Sequence, residues 1–122
     1  GFMKSLLGII SQPPYRGSQV LENIEAAMVA AVFDFKVSLL FRDEGLWALI
    51  KQQDAENLGQ RTISKVLSAL PTYEITAIYV GLEDLKQRDL LLSDLCLPVT
   101  LLDRAGQGAL ISRQHAVFGG SV

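Results

Sequence analysis

Five places in this chain carry residue types that could do chemistry. Cys96 is the single cysteine and His115 the single histidine. A thiol works as a nucleophile or sulfur carrier only as the thiolate, which needs exposure and nearby positive charge or a helix N-terminus. Cys96 instead stands between Leu95 and Leu97 with Asp94 close by, a setting that favours a neutral, partly buried structural thiol. His115 would need a second polar partner to act as a base or metal ligand. No His, Asp or Glu cluster has ligand spacing, so a surface or strand-edge histidine is expected and no metal site. Asp43-Glu44 offers two adjacent carboxylates, but neighbours in a loop tend to point apart, and Gly45 more simply supplies an unusual backbone turn. Tyr15-Arg16-Gly17-Ser18 leads into a helical pattern whose free N–H groups could hold an anion. Neither G-x-x-x-x-G-K-[ST] nor G-x-G-x-x-G is present, and Gly106-x-Gly108 is too short a signal to replace them. Trp47 is weighed equally as an interface anchor and as a core residue. No catalytic residue and no cofactor site is assigned.

The elements that must position these residues alternate in type. An apolar run over 4–10 reads as a strand, closed by Ser11-Gln12-Pro13-Pro14, because two adjacent prolines cannot continue a central strand. Ser18 is the expected N-cap of a helix over 19–33, with Val20, Ile24, Ala27, Met28, Ala31 and Val32 as its inner stripe. A strand over 37–41 is followed by the loop Arg42–Gly45 and a short helix over 46–51. The polar stretch 52–60 is expected to be a mobile loop, and a helix from about Thr62 is stopped by Pro71. A strand over 75–80, a helix over 82–90, a strand over 98–102, a helix or turn over 105–113 and a strand over 116–118 complete the pattern. Alternating strands and helices with apolar strands predict a layered α/β domain with a mostly parallel sheet. Ligands and partners in such folds meet the loops at the C-terminal strand ends, here 11–17, 42–45, 81–83 and 103–108.

With 122 residues the chain has the length of one domain. Hydrophobic residues make up 49% and charged ones 20%, which excludes a disordered chain. The net charge of −2 gives no basic excess for direct nucleic-acid binding. One cysteine allows no intramolecular disulfide and no Cys-cluster zinc site, and fits a reduced, cytoplasmic setting. No apolar stretch is long enough to span a membrane. A single domain over 3–118 is expected, with residues 1–2 as a cloning scar before Met3 and 119–122 as a flexible tail.

Order and spacing add something more specific. A first strand runs into Pro13-Pro14-Tyr15-Arg16-Gly17-Ser18, and the helix after it ends in Ala30-Ala31-Val32-Phe33-Asp34. Next come Val37 to Phe41, then Arg42-Asp43-Glu44-Gly45-Leu46-Trp47-Ala48-Leu49 and Gln52-Gln53. Later come Ala77-Ile78-Tyr79-Val80, Leu82-x-x-Leu85-x-x-Arg88 and Ala116-Val117-Phe118. Together these resemble the DsrE/DsrF-like sulfur-relay family, in its DsrF/TusC branch, over nearly the whole chain. That branch has a Pro-Tyr-Gly-type loop, from which Arg16 departs here.

The resemblance implies a three-layer α/β/α sandwich with a five-stranded, mostly parallel sheet. It implies a subunit without a relay cysteine, in a TusBCD-type heterohexamer with TusD/DsrE-like and TusB/DsrH-like partners. Such a complex passes persulfide sulfur toward 2-thiouridine in tRNA, or serves sulfur oxidation. The relay cysteine of the family lies in the TusD/DsrE-like subunit, just after its third strand. Here that place is Val80-Gly81-Leu82, with no thiol. The resemblance makes Tyr15, Arg16, Asp43, Glu44 and Trp47 the residues of partner contact or loop shape, in an accessory subunit without catalysis of its own. The rival expectation is a stand-alone sulfur carrier or sulfurtransferase using Cys96, alone or as a homo-oligomer. A small nucleotide-binding domain of flavodoxin-like shape is a third, weakened by the missing phosphate loop.

Overall fold

The computed structural model describes residues 3–51 and 56–120. Residues 1–2, 52–55 and 121–122 lie outside the described residues, and with them the expected scar and much of the expected mobile loop. Five strands, β1 (Ser5–Ile10), β2 (Lys36–Phe41), β3 (Ala77–Gly81), β4 (Thr100–Leu102) and β5 (Ala116–Gly119), form one sheet in the order β4-β3-β2-β1-β5. Every pairing is parallel, with Leu7 opposite Ser38 and Val117, and Leu40 opposite Tyr79. The inner strands β1 and β2 are almost continuously apolar and buried, as parallel strands covered on both faces must be.

Four α-helices, α1 (Gln19–Val32), α2 (Leu58–Ala69), α3 (Leu82–Gln87) and α4 (Arg104–Ser112), make the crossovers, with 3-10 helices at Asp43–Leu49, Leu70–Tyr73 and Leu92–Asp94. The larger core lies on one face, where Ile24, Ala27, Leu67 and Leu85 pack on Val37, Leu39, Phe41 and Ile78. The smaller core lies on the other face, where Leu110 of α4 packs on Leu7, Ile9 and Leu40. Crossovers to a neighbouring strand on the same side put their helices on one face, while the return from β4 to β5 puts α4 on the opposite face. The result is the expected three-layer α/β/α sandwich, with one layer much thinner than the other.

Several element boundaries differ from the expected ones, each for a local reason. β4 begins at Thr100, since Pro98 has no N–H to give to the ladder. The helix expected to reach residue 90 stops at Gln87: Asp89 takes a left-handed φ of 52°, and Leu90 N–H closes back on Leu85 O. Asp34 ends α1 in the same way, with φ 68° and Phe35 N–H bonded to Ala30 O. Val32, expected in the inner stripe of α1, is exposed, because it lies about 120° around the helix from Val20 and so outside an apolar face about 100° wide. Ser18 precedes α1, but its hydroxyl donates to Glu22 Oε1 at 2.9 Å instead of capping a backbone N–H. α2 starts at Leu58, not Thr62, and its cap is Asn57, whose side chain accepts from Gln60 N–H at 2.9 Å. Gly119, expected in the tail, closes β5.

Candidate functional site

Two neighbouring clefts open at the C-terminal ends of the strands. The first, of about 340 Å³, is lined by Pro13, Pro14, Tyr15, Arg16, Glu44 and Trp47. The second, of about 420 Å³, holds Arg42, Asp43, Asp84, Arg104 and Gln107 among its lining residues. The 3-10 helix Asp43–Leu49 separates them. Its position is set by Gly45, where a Cβ would strike the carbonyl of Ile10. Only a residue without a side chain lets this helix lie against the end of β1.

Asp43 and Glu44, adjacent in sequence, therefore serve different clefts. Glu44 turns to the aromatic side: its Oε2 accepts from Trp47 Nε1 at 2.6 Å, and its Oε1 lies 3.7 Å from Arg88 Nη2. Arg88 is mostly buried, pairs with Asp84 Oδ1 at 3.7 Å and donates to Asp84 O at 3.1 Å. Asp43, left-handed at φ 51°, borders the carboxylate cleft beside Asp84. Burial first, and then the neighbouring Asp43 carboxylate, push the Asp84 carboxyl above its ordinary value, while the backbone N–H of Asp43 and then Arg88 act in the opposite direction. Trp47 is 38% exposed, so core packing is not its role. The ring of Tyr15 lies over Gly59 of α2, and burial raises its phenol above the usual value, with a smaller contribution from Cys96.

Cys96 precedes β4, in a short antiparallel bridge in which its N–H donates to Leu49 O at 2.7 Å. It is a half-buried free thiol packed against the larger core. Burial pushes the thiol up, while its own backbone N–H and Lys51 pull the other way less strongly. The structure thus brings Tyr15, Arg16, Glu44 and Trp47 to one cleft and places Asp43 at the next. It puts Cys96 in neither lining. His115 ties β5 to β1, its Nδ1 lying 2.9 Å from Ser5 N and 3.0 Å from Ser5 Oγ. Among the described residues no group of three His, Cys, Asp or Glu is placed to hold a metal ion. No helix of the described residues is long and apolar enough to cross a membrane.

Sequence reasoning missed Asp84 and Gln107. In sequence Asp84 reads only as an acid in the first turn of a helix, where the dipole favours it. What could have found it is Gly81 at the end of a parallel strand, directly before that helix. A Cβ at Gly81 would run into the Asp84 carboxylate and crowd Gln107 Nε2, which donates to Leu102 O at 3.1 Å. The bend from β3 into α3 is thus filled by a carboxylate and an amide.

The chain was compared with known proteins. Residues 4–118 match the model of the DsrE/DsrF-like family. The chain is 32% identical over 115 residues to a protein named TusC homolog from Pseudomonas aeruginosa, covering 94% of this chain and 97% of that one. It is 31% identical over 93 residues to the intracellular sulfur oxidation protein DsrF of Allochromatium vinosum, covering 76% and 68%. In fold it is similar to the ychN protein of E. coli, with a TM-score of 0.80 at 13% identity over 97% of this chain and 100% of that one. A protein of unknown function from Methanobacterium thermoautotrophicum gives 0.70 at 17% identity, over 98% and 100%. The family match reaches from before β1 into β5 and takes in both clefts, and the chain belongs to the DsrE/DsrF-like family.

Proposed function

We propose that this chain is the TusC/DsrF-type subunit of a sulfur relay, one that supports persulfide transfer without carrying the sulfur itself. The likeness to TusC homologs and to DsrF supports the relay. The observation that favours a non-carrier is the junction of β3 and α3. The family resemblance puts the transferring thiol of the TusD/DsrE-like subunit just after its third strand. Here Gly81 lies against Asp84, with no thiol, and any side chain at this position would have to displace the Asp84 carboxylate. Cys96 is half-buried with a raised pKa, the opposite of what a transferring thiolate needs.

The partners in this proposal are TusD/DsrE-like and TusB/DsrH-like subunits in a cytoplasmic heterohexamer. Tyr15, Arg16, Glu44 and Trp47 form the contact surface, and Asp43 shapes the loop beside it. An exposed tryptophan held by a carboxylate is a preorganised anchor for a protein partner. The end product is 2-thiouridine in tRNA, or sulfur oxidation.

The test is native mass spectrometry of this chain co-expressed with its TusD-like and TusB-like partners and given a persulfide donor. The expected result is a mixed hexamer with added sulfur on the TusD-like subunit, unchanged by Cys96→Ser. A chain that stays alone and gains sulfur at Cys96 overturns the proposal in favour of a stand-alone carrier.

A further inference from the structure

The thin layer of the sandwich leaves part of the sheet uncovered. α4, nine residues long, extends about 14 Å and is about 10 Å across. A five-stranded sheet is about 19 Å wide at about 4.8 Å between neighbouring strands. Beside α4, on the face that carries Leu40 and Tyr79, lies a cleft of about 320 Å³. Ser38 and Tyr79 line it from the sheet, Arg113 and Gln114 from the end of α4, and Lys36 from the start of β2.

Two independent features mark this cleft. The first is charge. Lys36 and Arg113 line it, no carboxylate does, and neither cation forms an ion pair among the described residues. The two clefts at the strand ends and the small one on α1 each contain acids: Asp84, Glu44 and Glu25 respectively. In a chain of net charge −2 this local excess is not a general property of the surface. The second feature is an orphaned acceptor. Gln114 Nε2 donates to Leu110 O at 3.0 Å, which leaves its buried Oε1 with no hydrogen-bond partner. Buried acceptors are rarely left without a donor. Ser38, only 8% exposed, adds a hydroxyl from the sheet.

We propose that this cleft binds a small anion that also carries a hydroxyl or amino hydrogen. Lys36 and Arg113 hold the charge, the hydroxyls of Ser38 and Tyr79 donate to it, and the Gln114 side chain shifts on binding so that Oε1, closed to solvent in the free chain, accepts the ligand's own hydrogen. The volume suits a small molecule, at the lower end of ordinary ligand pockets. This site stands apart from the strand-end clefts and does not depend on the sulfur-relay proposal.

The test is an amide NMR titration of the full chain with inorganic phosphate at mildly acid pH, where phosphate retains P–O–H groups, and in parallel with sulfate, which has none. Phosphate is expected to give saturable shifts at Ser38, Ala77, Tyr79 and Gln114, and to bind at least about fivefold more tightly than the more highly charged sulfate. Arg113→Glu should abolish these shifts and Lys36→Ala weaken them. Both side chains are exposed, so the variants should keep the parent spectrum elsewhere. Absence of saturable shifts at those amides overturns the site, as does their persistence in Arg113→Glu. Sulfate binding as tightly as phosphate overturns the role given to Gln114.

Discussion

Asp84 and Cys96 are both pushed toward their protonated forms, and both shifts have burial as the first cause. For Asp84 the folded chain binds the proton more tightly than the unfolded chain does. Its contribution to stability is therefore fully present below the ordinary Asp value of 3.8 and is lost as pH rises through the higher folded value. Asp84→Asn keeps the shape and removes the charge. Urea midpoints measured against pH should show wild type losing stability relative to this variant across that acid window, with a constant difference above it. A difference independent of pH would mean that the Asp43 N–H and Arg88 together offset the burial of Asp84 fully. For Cys96 the raised thiol predicts slow chemistry. Alkylation by iodoacetamide at neutral pH should run several-fold slower in the native chain than in urea, because a raised pKa lowers the thiolate fraction and the sulfur is half-buried. Equal rates would show an open, reactive thiol.

The 3-10 helix Asp43–Leu49 decides where Asp43, Glu44 and Trp47 stand. It is pinned to the end of β1 by the bare backbone of Gly45, and Leu46 and Leu49 anchor it in the larger core. Gly45→Ala forces a methyl group into a backbone carbonyl, which cannot swing aside as a side chain can. A loss of about 3 kcal/mol is expected in chemical denaturation. The perturbation should also reach Trp47, so its fluorescence should report a changed environment in the native state. Wild-type stability and an unchanged emission spectrum would show that the helix is not seated by this contact. The helix ends at Asp34 and Asp89 work by a related device. There a left-handed residue turns the chain from helix toward the next segment without glycine, because aspartate tolerates that conformation better than most residues.

Across the whole molecule the apolar surface is unevenly distributed. Trp47 and Tyr15 stay exposed together at the C-terminal edge of the sheet, beside Arg16 and Glu44. In the proposed subunit role this edge meets the partner, and Trp47→Ala should weaken assembly with the TusD-like and TusB-like chains by more than about tenfold. The melting temperature of the isolated chain should stay within a few degrees of the parent, since the indole is outside both cores. Size-exclusion or native mass measurements of the co-expressed chains check the first part and calorimetry the second. Unaltered assembly would move the contact surface to another face.

Much of this protein was written locally. Apolar runs over β1 and β2, the Pro13-Pro14 stop and the alternation of strands with helices determined a layered, mostly parallel α/β fold, because burial on both faces demands continuous apolar strands. The motifs from Tyr15 to Trp47 likewise marked one edge of the sheet, where Tyr15, Arg16, Glu44 and Trp47 line a single cleft. Tertiary structure decided what depends on distant segments meeting. Asp84 became a partner of Asp43 only when β2 and β3 paired and their following helices turned to the same side. Asp43 and Glu44 were separated into two clefts by a helix whose seat is the carbonyl of Ile10. The cationic cleft joins the start of β2 to the end of α4, and it exists because one short helix covers a wide sheet. Periodicity reports which face of an element is apolar; only packing sets how much of a neighbouring face is covered, and which polar atoms are left without a partner.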